Sequence, residues 1–342
     1  MLGLAPLPRT LAAALRDVEH KKVEIRLSAL KDLGRLAAEG KSEAVRALSA
    51  ALANDTAPAV RSEAAVALAD ARATSAVPEL LAALTEDPVV RVRQLALVAL
   101  GELGSGDDAE LRARVEACLR DAEPELRFQA LIAVAHLFGS AAEHALVRGA
   151  RDDDAYVRYV ALRLFEERWL ASGASELPAT MATVAERALR DDSADVRLAA
   201  AILLARAGSR QGEDILVRAV VSGEGTREPE DAEAAIDLVG ELGLESARAG
   251  LEKRAFGFFG RSSDPFAWQA KVALARLGHT RATASILGGL ASWSRDTRTL
   301  AVTAAGRARL RQAMPLISAM RGRPERAEPE AVDEALSLLE QT

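Results

Sequence analysis

The sequence has 342 residues, of which 49% are hydrophobic and only 4% aromatic, and its formal net charge is −6. The single cysteine, Cys118, excludes an intramolecular disulfide and is typical of a protein from a reducing compartment. The N-terminus lacks the pattern of a secretory signal, and no uncharged apolar run is long enough to span a membrane. We therefore expect a cytoplasmic protein.

A pattern seen most clearly between Asp87 and Gly104 returns along almost the whole chain. Aligning the other segments on Arg93 gives copies that lie roughly 30–40 residues apart, the period of stacked helical hairpins. We call the arginine at this position the register arginine, and it recurs at Arg26, Arg61, Arg127, Arg158, Arg197 and Arg298. Two further copies have alanine there, Ala232 and Ala267.

An aspartate stands six residues before the register arginine in several repeats. There it can cap the second helix of the hairpin and accept a hydrogen bond from an arginine of its own or the adjacent repeat. We expect a structural ladder made of these residues: Asp55, Arg61, Asp87, Arg93, Asp121, Arg127, Asp152, Arg158, Asp191 and Arg197. Acids in the same register would neutralise these arginines, so the arginine row is not expected to bind phosphates.

Alanine and leucine follow the register arginine at helical spacing, as in Ala96, Ala99, Leu100 and Leu103. A glycine then closes the helix in several repeats. The glycines expected at helix ends are Gly104, Gly139, Gly208, Gly243 and Gly278.

The aspartate, the Val or Leu before the arginine, the alanine-rich helix and the closing Leu-Gly resemble the HEAT-repeat family, in particular its short bacterial form. The clearest copies are residues 87–104, 191–208 and 55–71. The resemblance implies an all-α fold, an α-solenoid of about nine stacked hairpins with a C-terminal capping helix. Such solenoids mostly serve as binding surfaces and only occasionally as enzymes.

We interpret residues 1–342 as one solenoid with three regions: regular acidic repeats (1–222), divergent basic repeats (223–326) and an acidic capping helix (327–342). Residues 253–326 carry fourteen Lys and Arg against three acids. The first repeat has His20 in the aspartate position, and the seventh has Thr226. The eighth has Arg261 there, although Asp264 can supply a shifted cap.

Motifs for catalysis are missing from the sequence. The four histidines form no HExxH pair, and no GxSxG, GxxxxGK[ST] or GxGxxG occurs. Asp152, Asp153 and Asp154 lack the other ligands and the glycine of an EF-hand, so they are read as a solvated turn. We expect no enzyme activity, no metal and no cofactor.

The aromatic residues all lie between Phe128 and Trp293. Phe128, Tyr159 and Leu198 each follow a register arginine, a position that usually points away from the core of the second helix. They are expected to form an apolar ridge on the concave side of a HEAT array, and exposed aromatic clusters favour a partner site. Irregular packing between repeats is the alternative.

A second unusual segment, residues 253–261, lies between the two helices of the eighth repeat. It places aromatic rings among glycines and bases, and it is either a hydrophobic finger for a partner or a loop folded back into the repeat. Trp268 and Trp293 are expected nearby. Its candidate binding residues are Arg254, Phe256, Phe258, Phe259 and Arg261.

The leading hypothesis is a non-catalytic scaffold or adaptor that binds a protein or peptide on the second-helix face. An alternative is nucleic-acid binding through the basic late repeats, including a HEAT-like DNA glycosylase as a special case. A third is a HEAT subunit resembling the bilin lyases. The segregated charge also allows self-association between the basic end and the acidic body.

Overall fold

The computed structural model describes residues 8–139, 142–257 and 263–341, and it contains twenty α-helices in these ranges. No strand occurs in this part of the chain, and the expected all-α class is confirmed. The helices of the first half are α1 (Leu11–Asp17), α2 (Val23–Ala38), α3 (Ser42–Asn54), α4 (Pro58–Asp70), α5 (Val77–Glu86), α6 (Val90–Leu103), α7 (Ala109–Cys118), α8 (Pro124–Leu137), α9 (Ala142–Gly149) and α10 (Ala155–Ser172). Those of the second half are α11 (Ala179–Ala188), α12 (Ala194–Arg206), α13 (Glu213–Ser222), α14 (Pro229–Glu241), α15 (Arg248–Phe256), α16 (Ala267–Arg276), α17 (Thr280–Gly289), α18 (Arg295–Arg307), α19 (Met314–Ser318) and α20 (Pro329–Glu340).

The helices pair in chain order as hairpins and fall into two compact units. Unit 1 is Met1–Gly173 and unit 2 is Ala174–Thr342. Within each unit, every second helix packs against the first helix of its hairpin and against the second helix of the next hairpin. Each unit is therefore a stack of hairpins, and the α-solenoid architecture is confirmed. The assignment of residues 1–342 to one continuous array stays a prediction.

The alanine and leucine positions form the core of the stacks. On α6, Ala96, Leu97, Ala99 and Leu100 are completely buried. Burying one leucine side chain contributes about 1.5–3 kcal/mol, so the repeated leucines supply most of the stability of each hairpin. A hairpin alone cannot cover this face, and stacking on its neighbours completes the core.

Small residues set the separation between successive second helices. A Cβ on Gly101 of α6 would lie 3.6 Å from the Cβ of Ala133 on α8, and one on Gly34 of α2 would lie 3.3 Å from that of Ala67 on α4. These glycines stand eight residues after a register arginine. In unit 2 the same contact is tighter, because an added Cβ at Gly240 would come within 2.8 Å of the Cβ of Ala273.

The predicted helix-ending glycines act in two different ways. Gly208, at φ +80°, ends α12 in the left-handed region that favours glycine. Gly104, the C-cap of α6, instead has φ −72°, so left-handed backbone is not its reason. A Cβ there would lie 2.6 Å from the main-chain oxygen of Leu100, so glycine is required for space.

The last helix, α20, has the amphipathic form expected of a cap. Its buried residues are Val332, Ala335, Leu336 and Leu339, which pack into the core cluster of the final hairpins. Its hairpin partner is the five-residue α19. Acidic residues occupy much of the outer side of α20, which suits a solubilising end to the stack.

Candidate interaction surfaces

Four register arginines, Arg26, Arg61, Arg93 and Arg127, each join one repeat of unit 1 to the next. Nε and Nη2 of Arg61 donate to Oδ2 and Oδ1 of Asp87 in the following repeat, at 2.6 and 2.9 Å. Nη1 of the same arginine donates to the main-chain oxygen of Asp55 in its own repeat, at 2.9 Å. The same two hydrogen bonds, from Nε and Nη2 to the two carboxylate oxygens, join Arg26 to Asp55 and Arg127 to Asp152. These guanidinium groups are therefore occupied inside the stack.

The ladder aspartates hold the turn rather than the helix end. Asp55 Oδ1 accepts from the main-chain N–H of Ala57, two residues on, and Asp87 Oδ1 accepts likewise from Val89. The N-cap residues of α4 and α6 are Ala57 and Val89 themselves. The expectation that these aspartates cap the second helix is thus corrected: they order the turn just before it. His20 makes the equivalent bond, from Lys22 N–H to Nδ1, at 3.0 Å.

The charge of these aspartates is stabilised by the ladder. Burial acts to raise the pKa of Asp87, but hydrogen bonds from Arg61 and from the N–H of Val89 outweigh it, so that pKa lies below its ordinary value. The pKa of Asp152 is lowered in the same manner by Arg127 and the N–H of Asp154. Both carboxylates are therefore ionised at neutral pH.

The divergent repeats of unit 2 also have polar side-chain bonds that join elements of the stack, which we call rungs, but residues other than the register pairs make them. Nη2 of Arg197 donates to Glu224 in the seventh repeat at 2.8 Å. In the eighth, Arg254 of α15 donates from Nε to the main-chain oxygen of Val220 at 3.0 Å and from Nη1 to Asp264 at 3.1 Å. Asp264 also accepts from the N–H of Phe266. Phe266 is itself the N-cap of α16, so Asp264, expected as a shifted cap, orders the turn before the helix instead. Arg254, a candidate partner-binding residue, is thus held in a structural rung.

The aromatic ridge expected on the second-helix face does not form. Tyr159 and Leu198 are 5% and 0% exposed, respectively, so their predicted exposure is wrong. The turn at Gly225 covers Leu198, and an added Cβ on that glycine would lie 3.1 Å from the Leu198 Cβ. The ring of Tyr159 is stacked beside that of Tyr156, with centroids 6.1 Å apart.

Phe128 remains half-buried, and its neighbour is a residue that the sequence reasoning missed. The ring of Tyr156 meets that of Phe128 edge-on, with centroids 4.9 Å apart. Tyr156 lies three residues before Tyr159, so helical spacing could have placed both on one side of α10. The two half-buried rings join α8 to α10 within unit 1.

Phe256 also packs inward, at 8% exposed. Its ring lies 6.1 Å from that of His279, and the guanidinium carbon of Arg281 is 4.1 Å from its centroid. The hydrophobic finger is therefore corrected at this residue, which is buried in the core of unit 2 beside the first helix of the next repeat, α17. Phe258, Phe259 and Arg261 lie outside the described residues.

The two tryptophans of the late repeats differ. Trp268 is half-buried, next to Gly289 of α17 and beneath the ammonium of Lys271 at 4.2 Å. Burial lowers the pKa of Lys271. Trp293, on the turn between α17 and α18, is 102% exposed.

A row of apolar side chains runs over three successive second helices of unit 1. Val66 of α4, Val98 of α6 and Ile132 of α8 each stand five residues after a register arginine, and each is half-buried. We call these three residues the second-helix stripe. Their equivalence follows from the repeat alignment, yet the sequence analysis used only the position directly after the arginine and missed them.

Carboxylates flank the second-helix stripe. Asp70 and Glu102 are exposed at the C-terminal ends of α4 and α6, Glu125 is exposed on α8, and Glu63 on α4 is half-buried. Among the described residues no cation forms a salt bridge with any of these four groups. Arg91 of α6 donates from Nη1 to Oε1 of Gln94 at 2.9 Å. On α2 and α10 the equivalent position holds the cations Lys31 and Arg163, so the acidic surroundings are confined to α4, α6 and α8.

The described residues contain no group of three or more His, Cys, Asp or Glu side chains that could hold a metal ion. Burial, followed by the nearby charge of Asp121, raises the pKa of Cys118 to about 11, so its thiol is protonated at neutral pH. None of the described helices combines the length and apolarity that a membrane span requires.

The stacked hairpins and their inter-repeat rungs define an α-solenoid. A family model described as HEAT repeats matches residues 8–101 and 77–166, which overlap and together cover most of unit 1. The resemblance to the HEAT-repeat family is therefore confirmed over residues 8–166. No curated protein sequence matches it.

Solved structures support the same fold. The Escherichia coli protein YibA is 15% identical, with a TM-score of 0.54 over 79% of this chain and 93% of that one. A mutant of Kap121p is 14% identical, with a TM-score of 0.51 over 97% of this chain and 40% of that chain. The complex of CpcE and CpcF of phycocyanin lyase from a Nostoc species is 18% identical over 74% of this chain and 95% of that one. Its TM-score of 0.41 is too low to support a comparison of the two folds.

Proposed function

We propose that this chain is a non-catalytic, cytoplasmic scaffold that binds a protein or peptide on the second-helix face of unit 1. The observation that carries the proposal is the second-helix stripe, three half-buried apolar side chains at equivalent positions. Covering such side chains contributes about 1 kcal/mol each, and a repeat array offers them at fixed intervals. The absence of catalytic motifs from the sequence agrees with a binding role.

Site-specific photocrosslinking tests this proposal. A benzophenone amino acid is placed at Val98 in the stripe and, as a control, at Glu116, which is exposed on the first helix α7. We expect a discrete protein adduct from position 98 in cells, and none from position 116. The adduct should disappear when Ile132→Asp is added. No adduct at 98, or equal adducts at both positions, would contradict the proposal.

Single-stranded nucleic acid is the second candidate partner, and Trp293 is the observation that favours it. Arg298 donates to the main-chain oxygen of Trp293 at 3.0 Å and to that of Arg326 at 2.6 Å, which brings the tryptophan turn beside exposed Arg323 and Arg326. An exposed aromatic ring can stack on a base, and nearby guanidinium groups can contact the phosphates. A labelled mixed-sequence oligonucleotide should then show salt-dependent anisotropy that Trp293→Ala abolishes. No anisotropy change at low salt ends this alternative.

A further inference from the structure

One position in the eighth repeat departs from the pattern of the core. Four residues after the register position, every other repeat has an uncharged side chain that is at most 1% exposed. These eight residues are Leu30, Ala65, Leu97, Leu131, Leu162, Ala201, Ile236 and Val302. The eighth repeat has Lys271 there, and its side chain is half-buried.

The backbone supports the alignment that gives Lys271 this position. Gly278 stands eleven residues after Ala267 and has φ +74°. Gly243 stands eleven residues after Ala232, in the seventh repeat, and has φ +70°. Both second helices therefore end in the same way at the same distance from the register position, and Lys271 is the true equivalent of the buried residues.

The indole of Trp268 fills the space that the lysine leaves. In the fourth repeat Leu131 packs against Gly149 of the next first helix, where an added Cβ would lie 2.6 Å from its Cδ1. At the equivalent Gly289 of α17, an added Cβ would instead lie 3.0 Å from Cη2 of Trp268. Nζ of Lys271 lies over the indole, 4.2 Å from the ring centroid.

The Lys271 ammonium has no counter-ion in the part of the chain that the structure describes. Of the helices packed against α16, α17 contains no acid, α15 contains only Glu252, and α18 contains only Asp296. Glu252 lies 3.0 Å from Nε2 of His279, and Asp296 is exposed. No salt bridge joins Lys271 to these groups or to the acids of α14, which are Glu230, Asp231, Glu233, Asp237 and Glu241.

These surroundings favour the neutral amine. Partial burial without a carboxylate disfavours the charged form of a lysine, and burial lowers the pKa of Lys271. The indole face attracts the ammonium but cannot accept a proton from it or neutralise it. Lysines desolvated in this way act as nucleophiles.

The position also selects the kind of product. An imine formed with an aldehyde or ketone would still carry a positive charge when protonated. An amide formed with an acyl group is neutral, as are all eight equivalent side chains. A neutral amide over the Trp268 indole is therefore the product that suits this position.

We propose that the ε-amine of Lys271 is an acylation site that takes an acyl group from an acyl phosphate or a thioester. Neutral Nζ attacks the acyl carbon, and the N–C bond forms as the C–O or C–S bond breaks. The leaving phosphate or thiolate takes up the proton that the amine loses. This inference concerns unit 2 and does not depend on the second-helix stripe.

Competitive labelling of the folded full chain tests the inference. The probe is acetyl phosphate, and mass spectrometry gives the rate at each lysine between pH 7 and pH 10. Lys253, exposed on α15 of the same unit, is the matched control. We expect Lys271 to react at least about threefold faster than Lys253 at pH 7, and its rate to level off at a lower pH. Urea should abolish both differences.

A second measurement examines the product. Lys271→Gln removes the charge as acylation does, whereas Lys271→Arg keeps it. We expect the higher thermal unfolding midpoint for Lys271→Gln, and no such difference between Lys253→Gln and Lys253→Arg.

The same pH dependence at Lys271 and Lys253 would overturn the inference, because Lys271 would then be an ordinary surface amine. Labelling of Lys271 only in urea would overturn it as well, since the amine would be inaccessible in the folded protein. A lower midpoint for Lys271→Gln than for Lys271→Arg would show that the position requires the charge, against the proposal.

Discussion

Arg61 and Asp87 are joined across a repeat boundary by two hydrogen bonds, Nε to Oδ2 at 2.6 Å and Nη2 to Oδ1 at 2.9 Å. The arginine and aspartate side chains are only 11% and 6% exposed. Because water reaches little of either side chain, each charge is stabilised mainly by the other. Repeat stacking in unit 1 combines such rungs with the leucine core.

Removing the Arg61 guanidinium should destabilise unit 1 strongly. Arg61→Ala leaves the Asp87 charge in a mostly buried position, and we expect a loss of about 3 kcal/mol in the free energy of unfolding. Arg93→Ala is the matched control, because Arg93 makes a single 3.2 Å bond to Asp121 and both side chains are more than 20% exposed. There the loss should be about 1 kcal/mol. Urea unfolding of the full chain measures both, and equal losses would contradict this ranking.

The rungs should make unit 1 sensitive to acid. Because the folded-state pKa of Asp87 lies below its ordinary value of 3.8, its ionisation stabilises the fold above that pH. The contribution is lost as the pH falls through the lower, folded-state pKa. The stability difference between the wild type and Asp87→Asn should therefore be largest at neutral pH and shrink below about pH 3.8. Urea titrations at several pH values check this, and a constant difference would exclude the linkage.

Ionisation of Asp237 should have the opposite effect on stability to ionisation of Asp87. Burial raises its pKa, although Arg307 and Arg276 act to lower it. A carboxyl with a raised folded-state pKa costs stability as the pH rises through that value. Asp237→Asn should then stabilise unit 2 at pH 7 by a few tenths to about 1 kcal/mol, with no gain at pH 3. Thermal unfolding at the two pH values would reveal the difference, and a loss at pH 7 would show that the ionised group is needed.

Cys118 should react slowly with thiol reagents in the folded protein. Its pKa of about 11 leaves little thiolate at pH 8, and burial further limits access. Labelling with iodoacetamide should accelerate at least about tenfold in urea, where the thiol recovers an ordinary pKa. Mass spectrometry gives the rates. Equal rates in native and unfolding conditions would show that the thiol is already accessible.

Much of the fold follows from local sequence. Ala96, Ala99 and Leu100 recur at helical spacing after Arg93, and this pattern alone places them in the core. The turn aspartates and register arginines repeat with them, because each hairpin must bond to the next in the same way. Repetition makes these features readable from one sequence.

The candidate site was less predictable, since side-chain exposure depends on what covers a position. Tyr159 and Leu198 follow register arginines as Phe128 does, yet the ring of Tyr156 stacks beside one and the Gly225 turn covers the other. Arg254 makes its structural bonds to Val220 and Asp264 from a first helix, α15. The register alignment compares second helices only, so it could not show this.

The sequence by itself determined the repeat, its helices and the residues that join one hairpin to the next. These depend on contacts that recur at a fixed period along the chain. Tertiary structure decided which apolar side chains stay partly exposed, and it left Val66, Val98 and Ile132 at the surface. Burial at any position depends on neighbouring turns and helices that come from distant, non-repeating parts of the sequence.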